Sequence, residues 1–313
     1  MLFLKRKMVS SITLTLLLTG MLTLAFNIQS VRASGTIYIR ADGSIDPSTA
    51  LISTVDNVTY TFTDSINDSI VIERDDIVVD GTGYALQGTN ASGSIGADVT
   101  GKSNITIKNM TIRAFYYGIY LDSSSNNSIS GNNITANNYS GILLYYSSSN
   151  SISGNNMTGN NDGIEFYFSS SYNSFFHNNF INNAQQVFSL DSMNVWDDGY
   201  PSGGNYWSDY TGTDGFRGPF QNETGSDGIG DTPYGIDQSN IDHYPLMHLW
   251  VRLRGDINGD GVVDIYDAIL LANAYNSARG KVNWNPDADI NGDNIVDIYD
   301  AIILANHYNQ HYP

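Results

Sequence analysis

Between about residues 70 and 190 the apolar positions come in short bursts that alternate with polar ones, and the bursts repeat. The stretches "GIYLD", "GILLYY" and "GIEFYF" open at Gly118, Gly141 and Gly163, each with apolar residues at every second position. Period-two alternation marks a strand with one buried face. It points Ile119, Leu121, Ile142, Leu144, Ile164 and Phe166 inward and leaves Tyr120, Leu143 and Glu165 outward. "NSIS" at Asn127 and Asn150, followed by "NSFF" at Asn173, sets the repeat at 23 residues; Asn133, Asn156 and Asn179 keep step, as do Ile134, Met157 and Phe180. A period of this size signals a solenoid. Three short strands and three turns fill such a repeat, which is one coil of a parallel β-helix. The Asn and Gly of the turns tolerate left-handed backbone. Stacking coils at about 4.8 Å aligns equivalent asparagines into ladders of side-chain amides.

The pattern changes near residue 250. "DINGDGVVDIYD" at 256–267 returns as "DINGDNIVDIYD" at 289–300, and each runs into an amphipathic helix, "DIYDAILLANAYN" or "DIYDAIILANHYN". Over 256–276 and 289–309, 17 of 21 positions are identical. Written as a calcium loop, the first copy places Asp256, Asn258 and Asp260 at positions 1, 3 and 5, the Val262 carbonyl at 7, Asp264 at 9 and Asp267 at 12. The second copy places Asp289, Asn291, Asp293, Ile295, Asp297 and Asp300 likewise. Oxygen ligands at alternating positions wrap one hard cation, so two Ca2+ ions are expected. Gly261 and Asn294 hold position 6, where a tight left-handed turn is needed.

The 313 residues include 32 acidic and 14 basic side chains, for a net charge of −18, which argues against nucleic acid or an anionic membrane surface as partner. Lys5, Arg6 and Lys7 precede an apolar stretch and the small residues of "SVRAS", as in a secretory signal occupying 1–33; an uncleaved anchor is the other reading. The chain has no cysteine, so disulfides do not support an extracellular life. Bound metal and a long hydrogen-bonded sheet are left to do so.

"SISGNNITANNYSGILLYY" and "SISGNNMTGNNDGIEFYF", together with "NVWDDGYPSGGNYWSDYTGTDGF" downstream, resemble the secreted archaeal β-helix proteins grouped with the NosD-like periplasmic copper-binding family. The resemblance implies a right-handed parallel β-helix of PbH1-type repeats over 34–250, with 191–250 as its C-terminal cap. Copper does not carry over: it calls for soft or imidazole ligands, and Met110 and Met157 fall at core positions. Loop plus exit helix, twice, with Asp at position 12, is similar to a type I dockerin over 251–313. That resemblance implies docking into a cohesin of a scaffold or cell-surface protein through positions 10 and 11, here Ile265 and Tyr266, Ile298 and Tyr299, and along the helix that follows. A purely structural calcium domain is the alternative.

Catalysis needs a carboxylate pair at fixed separation, or a calcium-bound acidic cluster beside a base. The coils offer Asp122, Asp162 and Glu165 as acids and Arg113 and His177 as isolated bases, with no acidic pair recurring on neighbouring coils. Tyr120, Tyr145 and Tyr167 form an outward row with Tyr116, Tyr117 and Tyr139 nearby; such rings either receive the faces of sugars or simply tile the sheet. Asp227, Asp231 and Asp237 lock turns or ligate calcium. Ten Asn-x-Ser/Thr sequons occur; Asn57, Asn67, Asn90, Asn138 and Asn222 are open to glycosylation, whereas Asn133 and Asn156 are expected to be enclosed in the ladder. The reading as a whole is a secreted, non-catalytic, carbohydrate- or surface-binding β-helix on a Ca2+-dependent dockerin. Its rival is a polysaccharide lyase or hydrolase carried on the same module.

Overall fold

A computed structural model describes residues 35–311 other than 260, 279, 280, 286, 292 and 294. The signal at 1–33, Asp260 and Asn294 lie outside the described residues. The chain from Thr36 onward winds into a parallel β-solenoid of about six turns, with a small helical region at its C-terminal end. Three sheets of eight, seven and six strands form its sides. In one coil the strands are Tyr117–Asp122, Ser128–Ser130 and Asn133–Thr135; in the next they are Ser140–Tyr145, Ser151–Ser153 and Asn156–Thr158. Register is in phase, with Ile119 opposite Ile142 and Ile142 opposite Ile164.

The inward residues of the three central coils stack in columns: Ile129 above Ile152 and Phe175, Ile134 above Met157 and Phe180. All are at most 1% exposed. The recurring glycine at the second position of each of these first strands has a steric cause. A Cβ on Gly118 would stand 2.5 Å from Gly141 O, one on Gly141 2.6 Å from Gly163 O, and one on Gly163 2.5 Å from Gln186 O.

Buried asparagines occupy three corners of the solenoid. Asn132 donates its backbone N–H (2.9 Å) and Nδ2 (3.0 Å) to Asn155 Oδ1, and Asn155 does the same to Asn178 at 3.1 and 3.0 Å. Asn127, Asn150 and Asn173 form a second ladder, and Asn137, Asn160 and Asn183 a third. In the pairs Asn132-Asn133, Asn155-Asn156 and Asn178-Asn179 the ladder residue is the first asparagine. Asn133 and Asn156, the second of their pairs, face outward and are exposed, so the enclosure expected for these two sequons does not hold. Strand alternation is the reason: a residue next to an inward asparagine points out.

Two ladders end in the segment after the last coil. Asn240 Oδ1 accepts from Asn194 N–H at 3.0 Å and Trp196 Nε1 at 3.1 Å. Asp242 Oδ2 accepts from Asn205 N–H at 2.8 Å and Trp207 Nε1 at 2.9 Å. The two indoles stack on the last core rings, Trp196 on Phe175 at 4.5 Å and Trp207 on Phe180 at 4.2 Å, which covers the end of the core. Burial pushes the Asp242 carboxyl up to about 7.

Candidate functional site

The C-terminal region is built from two copies of one unit. Helix α1 spans Ile265–Ala274 and α2 spans Ile298–His307. Asp264 and Asp297 cap them, accepting from Tyr266 N–H at 2.7 Å and Tyr299 N–H at 2.8 Å. The short strand Ile295–Val296 beside the second loop pairs with Ser277–Ala278 after α1, while Val263 beside the first loop exchanges hydrogen bonds with Asn309 and Gln310 after α2. Each loop is thus tied to the exit of the other unit's helix. Ile257, Val263, Leu271, Val296 and Leu304 form the shared core.

Within each loop the position-12 carboxylate is the hub. Asp267, fully buried, accepts from Ile257 N–H (2.6 Å) and Asn258 N–H (3.0 Å) through Oδ1 and from Asp264 N–H (2.8 Å) through Oδ2. Asp300 accepts from Asn291 N–H (3.0 Å) and Asp297 N–H (2.9 Å) in the same way. Asp256 accepts from Gly259 and Gly261 N–H, and burial pushes its carboxyl above the ordinary range. In the second loop Asp289 Oδ1 accepts from Asp293 N–H at 3.1 Å. Among the described residues no three carboxylates or imidazoles converge to hold an ion; the loops' acids are turned to their own amides. The donor set is nevertheless all carboxylate, amide and carbonyl oxygen, which suits a hard cation and no softer metal.

Ile265 and Tyr266 on α1 are 55% and 63% exposed, and Ile298 and Tyr299 on α2 are 53% and 64% exposed. Ile269 and Tyr275, with their equivalents Ile302 and Tyr308, extend the two apolar faces. The loop-position rule named only the first pair of each face. Helical spacing from position 10 (i, i+4) was the signal for Ile269 and Ile302.

The junction holds this region against the solenoid. Trp250 stacks on His177 at 5.2 Å and exchanges two hydrogen bonds with the Asn179 side chain, at 2.7 and 2.8 Å. Arg252 donates to the Asp256 and Ile257 carbonyls at 2.8 and 2.6 Å and to Asp287 at 3.1 Å. Lys108, from the solenoid, donates to the other Asp287 oxygen at 3.0 Å. Burial works to raise the Asp287 carboxyl, and the two cations outweigh it and hold it low.

On the eight-stranded sheet the tyrosines do not form one row. Tyr145 and Tyr167 are register partners whose column continues to Asp122, while Tyr120 belongs to the column of Leu143 and Glu165. The side chains gather into two clusters. Tyr116, Tyr117, Tyr120 and Tyr139 make one; Tyr145, Tyr146, Tyr167 and Phe168 make the other. Leu143 and Glu165 point outward as the alternation requires, yet are 5% and 1% exposed. Large side chains on the neighbouring coils cover them. Burial, then the charge of Asp162, pushes the Glu165 carboxyl up to about 8. The two carboxyls are in contact, closer than the roughly 5 Å or more of a glycosidase pair.

Asp227, Asp231 and Asp237 are turn locks. Asp231 accepts from Gly215 and Phe216 N–H, Asp227 from Gly218 and Ile229 N–H, and Asp237 from Ser239 N–H.

Two family models match the chain: "Periplasmic copper-binding protein (NosD)" over residues 25–212 and "Dockerin type I domain" over residues 254–309. No curated protein matches it significantly. Among solved structures, an alginate lyase from a Paenibacillus species aligns at 15% identity over 42% of this chain and 58% of its own, with a TM-score of 0.30. At that score the likeness says nothing of activity. The described residues do not fit copper. There is no cysteine, Met110 and Met157 lie in the core, the His177 ring contacts Ser202 O at 2.9 Å, and among the described residues no three histidine or carboxylate side chains gather to hold an ion. Type I dockerin domains bind calcium and interact with cohesin domains.

Proposed function

Because the chain belongs to the NosD family and carries a type I dockerin match at its end, we propose that it is a secreted, non-catalytic β-helix that binds carbohydrate or another surface and is anchored to an extracellular cohesin-bearing partner. The dockerin takes two Ca2+ ions, one in each loop. The observation that carries this reading is the pair of equivalent apolar faces, each set beside its own oxygen-lined loop and left open to solvent. Isolated helices of 10 residues do not hold such faces in place by themselves. The loops wound on Asp267 and Asp300 do so.

The tyrosine clusters supply flat apolar faces with hydroxyls at their edges, which matches the chemistry of sugar rings. Among the described residues no helix is long and apolar enough to cross a membrane. Retention of the full chain on an immobilised cohesin in calcium, and its release by chelator, tests the anchoring. Retention on insoluble polysaccharides, compared with a Tyr120→Ala, Tyr145→Ala, Tyr167→Ala variant, tests the binding surface. Unsaturated or reducing ends released from those polysaccharides would replace this reading with the lyase or hydrolase one.

A further inference from the structure

On the outer face of the eight-stranded sheet three oxygen-bearing side chains meet out of reach of water. Ser140 and Asp162 are register partners on adjacent coils, and Glu165 lies three residues beyond Asp162 on the same strand. Their exposures are 0%, 7% and 1%. Asn161 Nδ2 donates to Asp162 Oδ2 at 3.2 Å, and the Tyr167 hydroxyl donates to Glu165 Oε1 at 3.3 Å. Two polar atoms remain. Glu165 Oε2 and Ser140 Oγ are both buried and make no hydrogen bond of acceptable geometry, although the Ser140 hydroxyl lies near enough to the Glu165 carboxyl to act on it.

Such atoms are rare in folded proteins and require an explanation. The groups that face the Glu165 carboxyl are Asp162 and Tyr167 on its own strand, Ser140 one coil back and Tyr117 two coils back; none is a base. Two touching carboxyls without a positive partner are costly to bury. The cost is removed if something with two positive charges and a demand for oxygen sits among them.

We propose that Asp162, Glu165 and Ser140 form a binding site for a hard divalent cation of the calcium class, separate from the dockerin loops. Two carboxylates balance its charge, and the serine hydroxyl is a third oxygen donor. Nitrogen and sulfur donors are absent from the cluster, which excludes a preference for softer metals. A cation here ties Ser140 on one coil to Asp162 and Glu165 on the next, and so adds a cross-link between coils beneath the tyrosines.

The test uses the full chain with both dockerin loops disabled by Asp256→Ala and Asp289→Ala, stripped of metal and titrated with calcium at pH 8. One bound ion per chain is expected, together with a rise of several degrees in the melting of the solenoid. Adding Glu165→Gln, which keeps the shape and removes the charge, should abolish both. Asp162→Asn serves as a second variant should Glu165→Gln fail to fold. Terbium offers an independent readout, because Tyr117 and Tyr167 stand close enough to sensitise its emission, and the signal should vanish with the same variants. No residual ion in the loop-disabled chain overturns the proposal. So does residual binding that survives both Glu165→Gln and Asp162→Asn, and so does a solenoid that calcium leaves unchanged while Glu165→Gln stabilises it, since the pair would then hold only a shared proton.

Discussion

Replacing Asn155 by Ala probes the solenoid at a fully connected rung. The side chain is 0% exposed and accepts from Asn132 N–H at 2.9 Å and Asn132 Nδ2 at 3.0 Å. It donates to the Ile129 carbonyl at 2.8 Å, the Ser153 carbonyl at 3.0 Å and Asn178 Oδ1 at 3.0 Å. Truncation orphans the Asn132 amide, which costs about 1–3 kcal/mol for a buried donor. Asn132 Nδ2 keeps its bond to the Ile107 carbonyl and Asn178 Oδ1 keeps the Asn155 amide, so the remaining losses are partial, together about 1–2 kcal/mol. The sum is ~2–5 kcal/mol. Urea unfolding should show it as a lower midpoint at unchanged slope. The neighbouring Asn133→Ala, at an exposed position, should stay within about 0.5 kcal/mol of wild type. A loss below about 1 kcal/mol at Asn155, or equal losses at the two sites, would refute the ladder as the source of coil-to-coil stability.

Three further outcomes follow from the same geometry. Asp242 is fully buried and its folded value of about 7 lies above the ordinary 3.8, so its contribution to stability is complete below pH 4 and is lost as pH rises through 7; Asp242→Asn should flatten the fall in melting temperature between pH 5 and 8, and an unchanged slope would contradict the assignment. Chelation should melt α1 and α2 while the solenoid stays folded, because folding of the loops is linked to ion binding; unchanged helical dichroism at 222 nm in chelator, measured as a difference from the calcium form, would sink this. Because the two docking faces are equivalent under a half-turn, Ile265→Asp with Tyr266→Asp should weaken cohesin binding by only about 0.4 kcal/mol, a factor of two, whereas the four-fold variant including Ile298→Asp and Tyr299→Asp should abolish it; calorimetry showing that one pair alone eliminates binding would establish a single mode.

The solenoid was legible because its two signals are local. Period-two alternation marks which residues face in, and the 23-residue step says that each coil rests on a copy of itself. Ile119, Leu121, Ile142 and Phe166 are all at 0% exposure for that reason. The ladder was legible in kind and misplaced by one residue: in "GNNIT" either asparagine keeps the 23-residue step, and only the phase of the strand decides between Asn132 and Asn133. Glu165 was harder. Alternation fixes its direction, but its burial depends on side chains brought from other coils, and that is a property of register rather than of pattern. The same holds for the tyrosines, whose sequence spacing suggested one row where register makes two columns. Asp287 carries no local signal at all. Its partners Lys108 and Arg252 come from 179 residues away and from across the junction.

The asparagine ladders give the solenoid a direction. Every rung offers an acceptor to the coil before it and asks for one from the coil after it, so each coil presents to its successor the demand that it met for its predecessor. Copying or deleting one 23-residue unit leaves every such demand answered. Length is therefore the easiest property of this molecule to change by gene duplication. The closing segment is the opposite case. Asp242 takes the donors of Asn205 and passes no side-chain amide onward, a role that a duplicated coil does not fill. Growth is free in the middle of the chain and fixed at its end, and relatives of very different length are expected to share the one terminus.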